Sequence, residues 1–123
     1  MSGNSIFVDT NIILYLLRGD KKLAEALLQK QIFVSCISEV ELLSFKGITP
    51  TELKAIHNFL DECLIMDFTN EIKKLTIEVR KKHGLKIPDS IVVATALSLR
   101  MPLFTADNDF KKVKDLDIIL YNS

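Results

Sequence analysis

The chain has no tryptophan, two cysteines, three prolines and four glycines among its 123 residues. Aromatic residues are only 7% of the sequence and form no cluster, so no stacking surface for bases is evident. Cys36 and Cys63 lack metal-ligand spacing and lie among apolar neighbours, which predicts buried free thiols rather than a metal site. No apolar run approaches the roughly 18 residues of a membrane span. The opening Met1 to Ser5 has no basic region, and Asp9 and Asn11 follow soon after, a poor match to a signal peptide. A cytoplasmic protein with no membrane partner is expected. Lysine plus arginine equals aspartate plus glutamate at 16 each, so any nucleic-acid footprint has to be local. Repeats, linkers and low-complexity segments are also missing, and one domain over residues 1–123 is the natural expectation.

What is present is 48% apolar residues, enough for a real core. Ser5 to Val8 reads as a short buried strand. Asn11 to Leu17 reads as a helix closed near Gly19. Lys21 to Lys30 has helical spacing, with Leu23, Ala24, Leu27 and Leu28 on one face. Ile32 to Ser35 is a second strand, and Ser38 to Phe45 a helix. Thr49-Pro50-Thr51-Glu52 marks a helix start with an N-cap, a first-turn proline and a capping-box glutamate. Leu53, Ile56, Phe59 and Leu60 form its inner face. Leu64 to Phe68 is a third strand. Thr69 caps a helix whose inner face is Ile72, Leu75, Thr76 and Val79. Pro88 opens a helix to about Arg100 that is apolar around most of its circumference, so it should be central and buried. Pro102 to Thr105 and Ile118 to Tyr121 complete the strands. This alternation predicts an α/β fold, a three-layer α/β/α sandwich with a central parallel sheet.

Four carboxylates follow apolar segments: Asp9, Glu41, Asp89 and Asp107. In an open parallel sheet, ligands bind outside the carboxyl ends of the strands. Asp9 lies just past the first strand, Asp107 just past the fourth, and Glu41 one turn beyond the second. Asp89 starts the helix leading into the fourth. Each also fits a plain structural role. Ser38 and Glu41 match a capping box, Asp89 suits a helix N-terminus, Asp107 or Asp109 suits a capped turn, and Asp9 with Asn11 suits a strand end. Gathered together, however, they are hard to explain structurally. Two unit charges about 4 Å apart repel by roughly 4 kcal/mol at an effective dielectric near 20, so such a cluster takes up protons or binds a cation.

These residues carry a resemblance that spans nearly the whole chain. Val8-Asp9-Thr10-Asn11-Ile12, Ser38-x-x-Glu41-Leu42-Leu43, Pro88-Asp89-Ser90-Ile91 through Ala96, and Thr105-x-Asp107-x-x-Phe110 stand in order. Together the chain resembles a PIN domain, most nearly the toxin ribonucleases of VapC type. The resemblance implies a PIN-like fold and a Mg²⁺- or Mn²⁺-dependent endoribonuclease. It implies Asp9, Asp89 and Asp107 as direct or water-mediated metal ligands, with Glu41 ligating a second ion or orienting the attacking water. Asn11 and Thr105, with Ser38, would steady these groups by hydrogen bonds. An all-oxygen set without His or Cys suits hard cations, which agrees. The setting implied is a type II toxin–antitoxin pair. Its RNA target would be a structured RNA such as transfer RNA, its antitoxin would block the acidic groove, and homodimers are usual.

An acidic pocket repels RNA unless cations offset it. Arg80, Lys81, Lys82, His83 and Lys86 precede Asp89, and Lys111, Lys112 and Lys114 follow Asp107. Both stretches fit a phosphate contact or a solvated face. Two other functions compete with this reading. A catalytically silent binding module on the same scaffold fits less well, because all four carboxylates are present. A receiver-like phosphoryl-transfer domain needs an acidic nucleophile at a middle strand and a lysine after a late one. Phe68-Thr69 and Asp107 occupy those places.

Overall fold

The structure is a computed structural model that describes residues 4–122. Met1 to Gly3, part of the opening weighed against a signal peptide, and Ser123 lie outside the described residues. Within the described residues five strands form one sheet: β1 (Ser5–Val8), β2 (Gln31–Ser35), β3 (Leu64–Met66), β4 (Leu103–Thr105) and β5 (Ile118–Leu120). All pairings are parallel, and the spatial order is β3-β2-β1-β4-β5. Among the described residues six α-helices connect them: α1 (Thr10–Leu17), α2 (Lys21–Leu27), α3 (Cys36–Ser44), α4 (Pro50–Asp61), α5 (Asn70–His83) and α6 (Ile87–Leu99). A short 3₁₀ helix, Asn108–Lys112, lies between β4 and β5. None of the described helices is long and apolar enough to cross a membrane.

Alternation along the strands builds a core on each face of the sheet. Ile6, Val8 and Phe104 pack with Ile12, Ile13, Leu23, Leu42, Ile56 and Leu60 of α1 to α4. Phe7 and Leu103 point the other way, to Ile72, Val79, Val92, Val93 and Ala96 of α5 and α6. The three-layer expectation is met. So is the central helix: Ser90 through Ala96 is buried without interruption.

The chain steps outward from β1 to β2 to β3, then α5 and α6 carry it back to place β4 on the other side of β1. The direction of winding reverses at β1, the kind of crevice where ligands sit in open α/β sheets.

Some boundaries differ from expectation. The helix expected to begin at Ser38 begins at Cys36, because Ser35 ends β2 and caps α3 directly, its hydroxyl accepting from the Ile37 N–H at 3.2 Å. Ser38 is therefore interior and fully buried, and the capping-box reading of Ser38 with Glu41 is corrected. α2 stops at Leu27, which leaves Leu28 at its C-cap and 70% exposed instead of on the inner face. Ala24 is exposed as well. β3 stops at Met66, and Phe68 is exposed. Both cysteines are only half-buried. Burial still pushes the Cys63 thiol up to about 11, with the Glu62 charge adding to the rise, so it behaves as an inert thiol. The expected capping box at Thr49 and Glu52 forms with both bonds present.

Candidate active site

Asp9 is the residue at which β1 becomes α1. Its extended backbone caps the helix, and its N–H donates to the Phe104 carbonyl at 2.9 Å, which ties it to β4 across the switch point. The residue keeps 9% of its exposure, and its side chain accepts three hydrogen bonds. Oδ1 takes the Thr10 N–H at 2.8 Å. Oδ2 takes the Thr105 hydroxyl at 2.8 Å and Asn11 Nδ2 at 3.3 Å. With about two lone pairs on each carboxylate oxygen, Oδ2 is filled and Oδ1 can accept once more.

Thr105 and Asn11 are themselves held. The Asp107 N–H donates to Thr105 Oγ1 at 3.0 Å, and the Ala106 N–H donates to Asn11 Oδ1 at 3.2 Å. Asp107 caps the 3₁₀ helix by accepting the Asp109 N–H at 2.9 Å, which is the structural role also foreseen for it. The β1 and β4 ends thus form one hydrogen-bonded unit around Asp9.

Glu41 enters from α3. That helix packs on α1 and on α6, so it bridges the two sides of the site. Thr10 Oγ1 lies 2.8 Å from Glu41 Oε1 and 2.8 Å from Ser38 Oγ. A hydroxyl has one proton and a carboxylate none, so Thr10 donates to Glu41 and receives from Ser38. Pattern alone does not single out Thr10. Its one sign in the sequence is a hydroxyl at the first helical position, beside two polar residues.

Asp89 lies in the first turn of α6. Electrostatics show which acids the fold brings together. Burial pushes the Asp9 carboxyl above its usual range; the Thr105 hydroxyl and Thr10 N–H pull it back, and the Asp89 and Glu41 charges add to the rise. Burial also raises Asp89, followed by the charges of Asp107 and Glu41; Lys86 opposes them, and Asp109 adds a smaller push. Asp89 is the common neighbour: it feels the charges of Asp107, Glu41 and Asp109, and it acts with Glu41 on Asp9. Among the described residues no three His, Cys, Asp or Glu side chains close into a tight metal cage. The acids form a loose cluster around the ends of β1 and β4 and the start of α6, and a site of this kind would suit an ion that keeps several waters and takes only one or two carboxylates directly.

Beside the cluster, Thr10 and Glu41 share a cleft of about 320 Å³ with Leu14, Arg18, Leu42 and Phe45. His57 lies on α4 and is exposed.

Residues 6–116 match the PIN domain family model. The chain belongs to the PIN domain family. A curated relative, ribonuclease VapC2 of Methanocaldococcus jannaschii, is 31% identical over 97% of this chain and 95% of its own length. Ribonuclease VapC6 of the same organism is 28% identical over 97% and 99%. Among solved structures, a toxin–antitoxin complex from Klebsiella pneumoniae contains a chain that superposes with a TM-score of 0.82 at 25% identity, covering 96% of this chain and 99% of that one. The PIN domain match spans β1 to just before β5, and so includes all four acidic positions.

Proposed function

We propose that this PIN domain protein is a Mg²⁺- or Mn²⁺-dependent endoribonuclease that hydrolyses RNA phosphodiester bonds, and that it is the toxin of a type II toxin–antitoxin pair. Asp9 carries the reading. It is buried, held by three donors, and set against the charges of Asp89 and Glu41. Burial of a carboxylate beside like charges costs stability, and such perturbed groups gather at functional sites. The two archaeal relatives named ribonucleases favour RNA as the substrate. The Klebsiella complex favours an antitoxin partner.

The donor set fits the cation. Every candidate ligand offers oxygen, and Asp9 and Asp89 each feel the charges of other acids. In this reading Asp9, through the free position on Oδ1, Asp89 and Asp107 hold the ion directly or through water. Glu41 holds a second ion or orients the attacking water. When bound, the cation stabilises charge developing on the phosphate and makes a bound water more acidic. The chain supplies orientation. Thr105 and Asn11 fix the Asp9 carboxylate, Ser38 and Thr10 aim Glu41, and the buried α6 gives Asp89 a rigid base. The same reading places the protein in the cytoplasm as a homodimer, each chain acting as one domain.

The test is cleavage of purified transfer RNA with Mg²⁺ or Mn²⁺. Asp9→Asn and Asp89→Asn are expected to lose more than about 100-fold in rate while keeping wild-type circular dichroism. Full activity in either variant, or in excess chelator, would sink the assignment. Failure of the wild type to bind a divalent ion would favour the silent binding module.

A further inference from the structure

We propose that Lys86 is a positioning residue that takes a phosphate of the RNA strand at the rim of the acidic cluster; this rests on the endoribonuclease reading above. An anionic strand approaching Asp9, Glu41, Asp89 and Asp107 meets repulsion of its own sign. A cation within a Debye length, about 8–10 Å at physiological salt, acts on both strand and acids before solvent ions screen it. The basic stretch from the last turn of α5 to the N-cap of α6 offers several cations, and the structure sorts them.

Arg80 is committed, its Nε–H donating to the Leu85 carbonyl at 3.1 Å and shaping the turn between the two helices. Lys82 is paired with Asp115 at 2.7 Å. Lys86 remains. It is exposed, it is the N-cap residue of α6, and its side chain makes no capping hydrogen bond. No ion pair holds its ammonium among the described residues. Only Ile87 and Pro88 separate it from Asp89, and its charge reaches that carboxylate. Its backbone is fixed, since the Ser90 N–H donates to the Lys86 carbonyl at 2.9 Å. An anchored stem with a free ammonium suits a phosphate contact, which positions a strand without reading its bases.

The experiment uses the full chain and a fluorescein-labelled RNA hairpin of mixed sequence. Binding is measured in the Asp9→Asn background without divalent ions, so cleavage and metal affinity play no part. Lys86→Met is expected to weaken binding about fivefold to tenfold and to reduce the slope of log K against log salt by about 0.7–0.9. Lys86→Arg should restore both. Lys54→Met, which removes the same charge from α4 on the opposite face of the sheet, should change neither. In the cleaving protein, Lys86→Met should raise KM by a similar factor with kcat within about twofold. Unchanged binding and salt slope in Lys86→Met, with the wild type still cutting RNA, would overturn the role of Lys86 and leave the nuclease standing. Binding lost through Lys86 in a protein that cuts no RNA would overturn the nuclease and leave the phosphate contact.

Discussion

Thr10 shows how a small side chain decides what a large one can do. Glu41 is exposed, and a free glutamate samples several rotamers; the Thr10 hydroxyl selects one. Ser38 is fully buried, and Thr10 is its side-chain partner. Thr10→Val keeps the shape and removes the hydroxyl. It leaves Ser38 buried without a partner, at a cost of about 1–3 kcal/mol of stability, and it frees Glu41. A drop in cleavage rate of about tenfold is expected, in the range seen when a supporting hydrogen bond to a metal site is lost. Thr10→Ser should recover most of it. Combined with Glu41→Gln, Thr10→Val should add little further loss, because both act on one carboxylate. Fully additive rate losses in that double variant would mean Thr10 does not act through Glu41. This chain of hydroxyls also separates the two roles that Glu41 shares in the sequence. With Ser35 as the cap of α3, the Ser-x-x-Glu spacing owes nothing to capping and places both side chains toward Thr10.

Elements differ in how far their sequence announces them. α4 is fully legible: Thr49, Pro50 and Glu52 state its start, and the capping box forms as written. α6 is legible by composition, since a helix apolar on nearly every side has nowhere to go but the interior. α3 is not, because β2 runs into it with no loop, and a capping serine looks like any strand serine until the backbone is seen. Nor does alternation of strands and helices reveal strand order. It announces a parallel sheet, whereas the return of the chain to place β4 beside β1 depends on packing between distant segments. Asp9 was recognisable as a motif, but its bonds to Thr105 and Phe104 arise from that long-range step. The turn after α5 gives an element-scale prediction. Gly84 sits at φ 66° with nothing near the position of a Cβ, so substitution meets conformational cost alone. Gly84→Ala should lower stability by about 1 kcal/mol, a few degrees in Tm for a chain of this size, with the site intact. A loss of activity larger than the loss of folded protein would show that this turn also sets the angle of α6 and Asp89.

Across the whole molecule the acidic cluster is a load that the two cores carry. Asp9 and Asp89 both have carboxyls raised above the ordinary aspartate value of 3.8, so the native state binds their protons more tightly than the unfolded chain does. The sign follows from linkage: stability from these groups is fully present below about pH 4, and is lost as pH rises through their raised native values. At neutral pH the ionised cluster therefore opposes folding, and two treatments should relieve it. Asp89→Asn removes one charge and should raise Tm at pH 7, with the advantage over wild type shrinking as the buffer falls toward pH 4. Divalent cations should relieve the wild type by binding only the native state, by about 2.7 kcal/mol at a concentration a hundredfold above Kd. The two effects should compete, because Asp89→Asn weakens the site as well as discharging it. Thermal melts across pH, with and without Mg²⁺, read both at once. If Mg²⁺ raises the Tm of Asp89→Asn as much as that of the wild type, Asp89 takes no part in holding the ion; if the gap between the two proteins ignores pH, its charge does not oppose the fold.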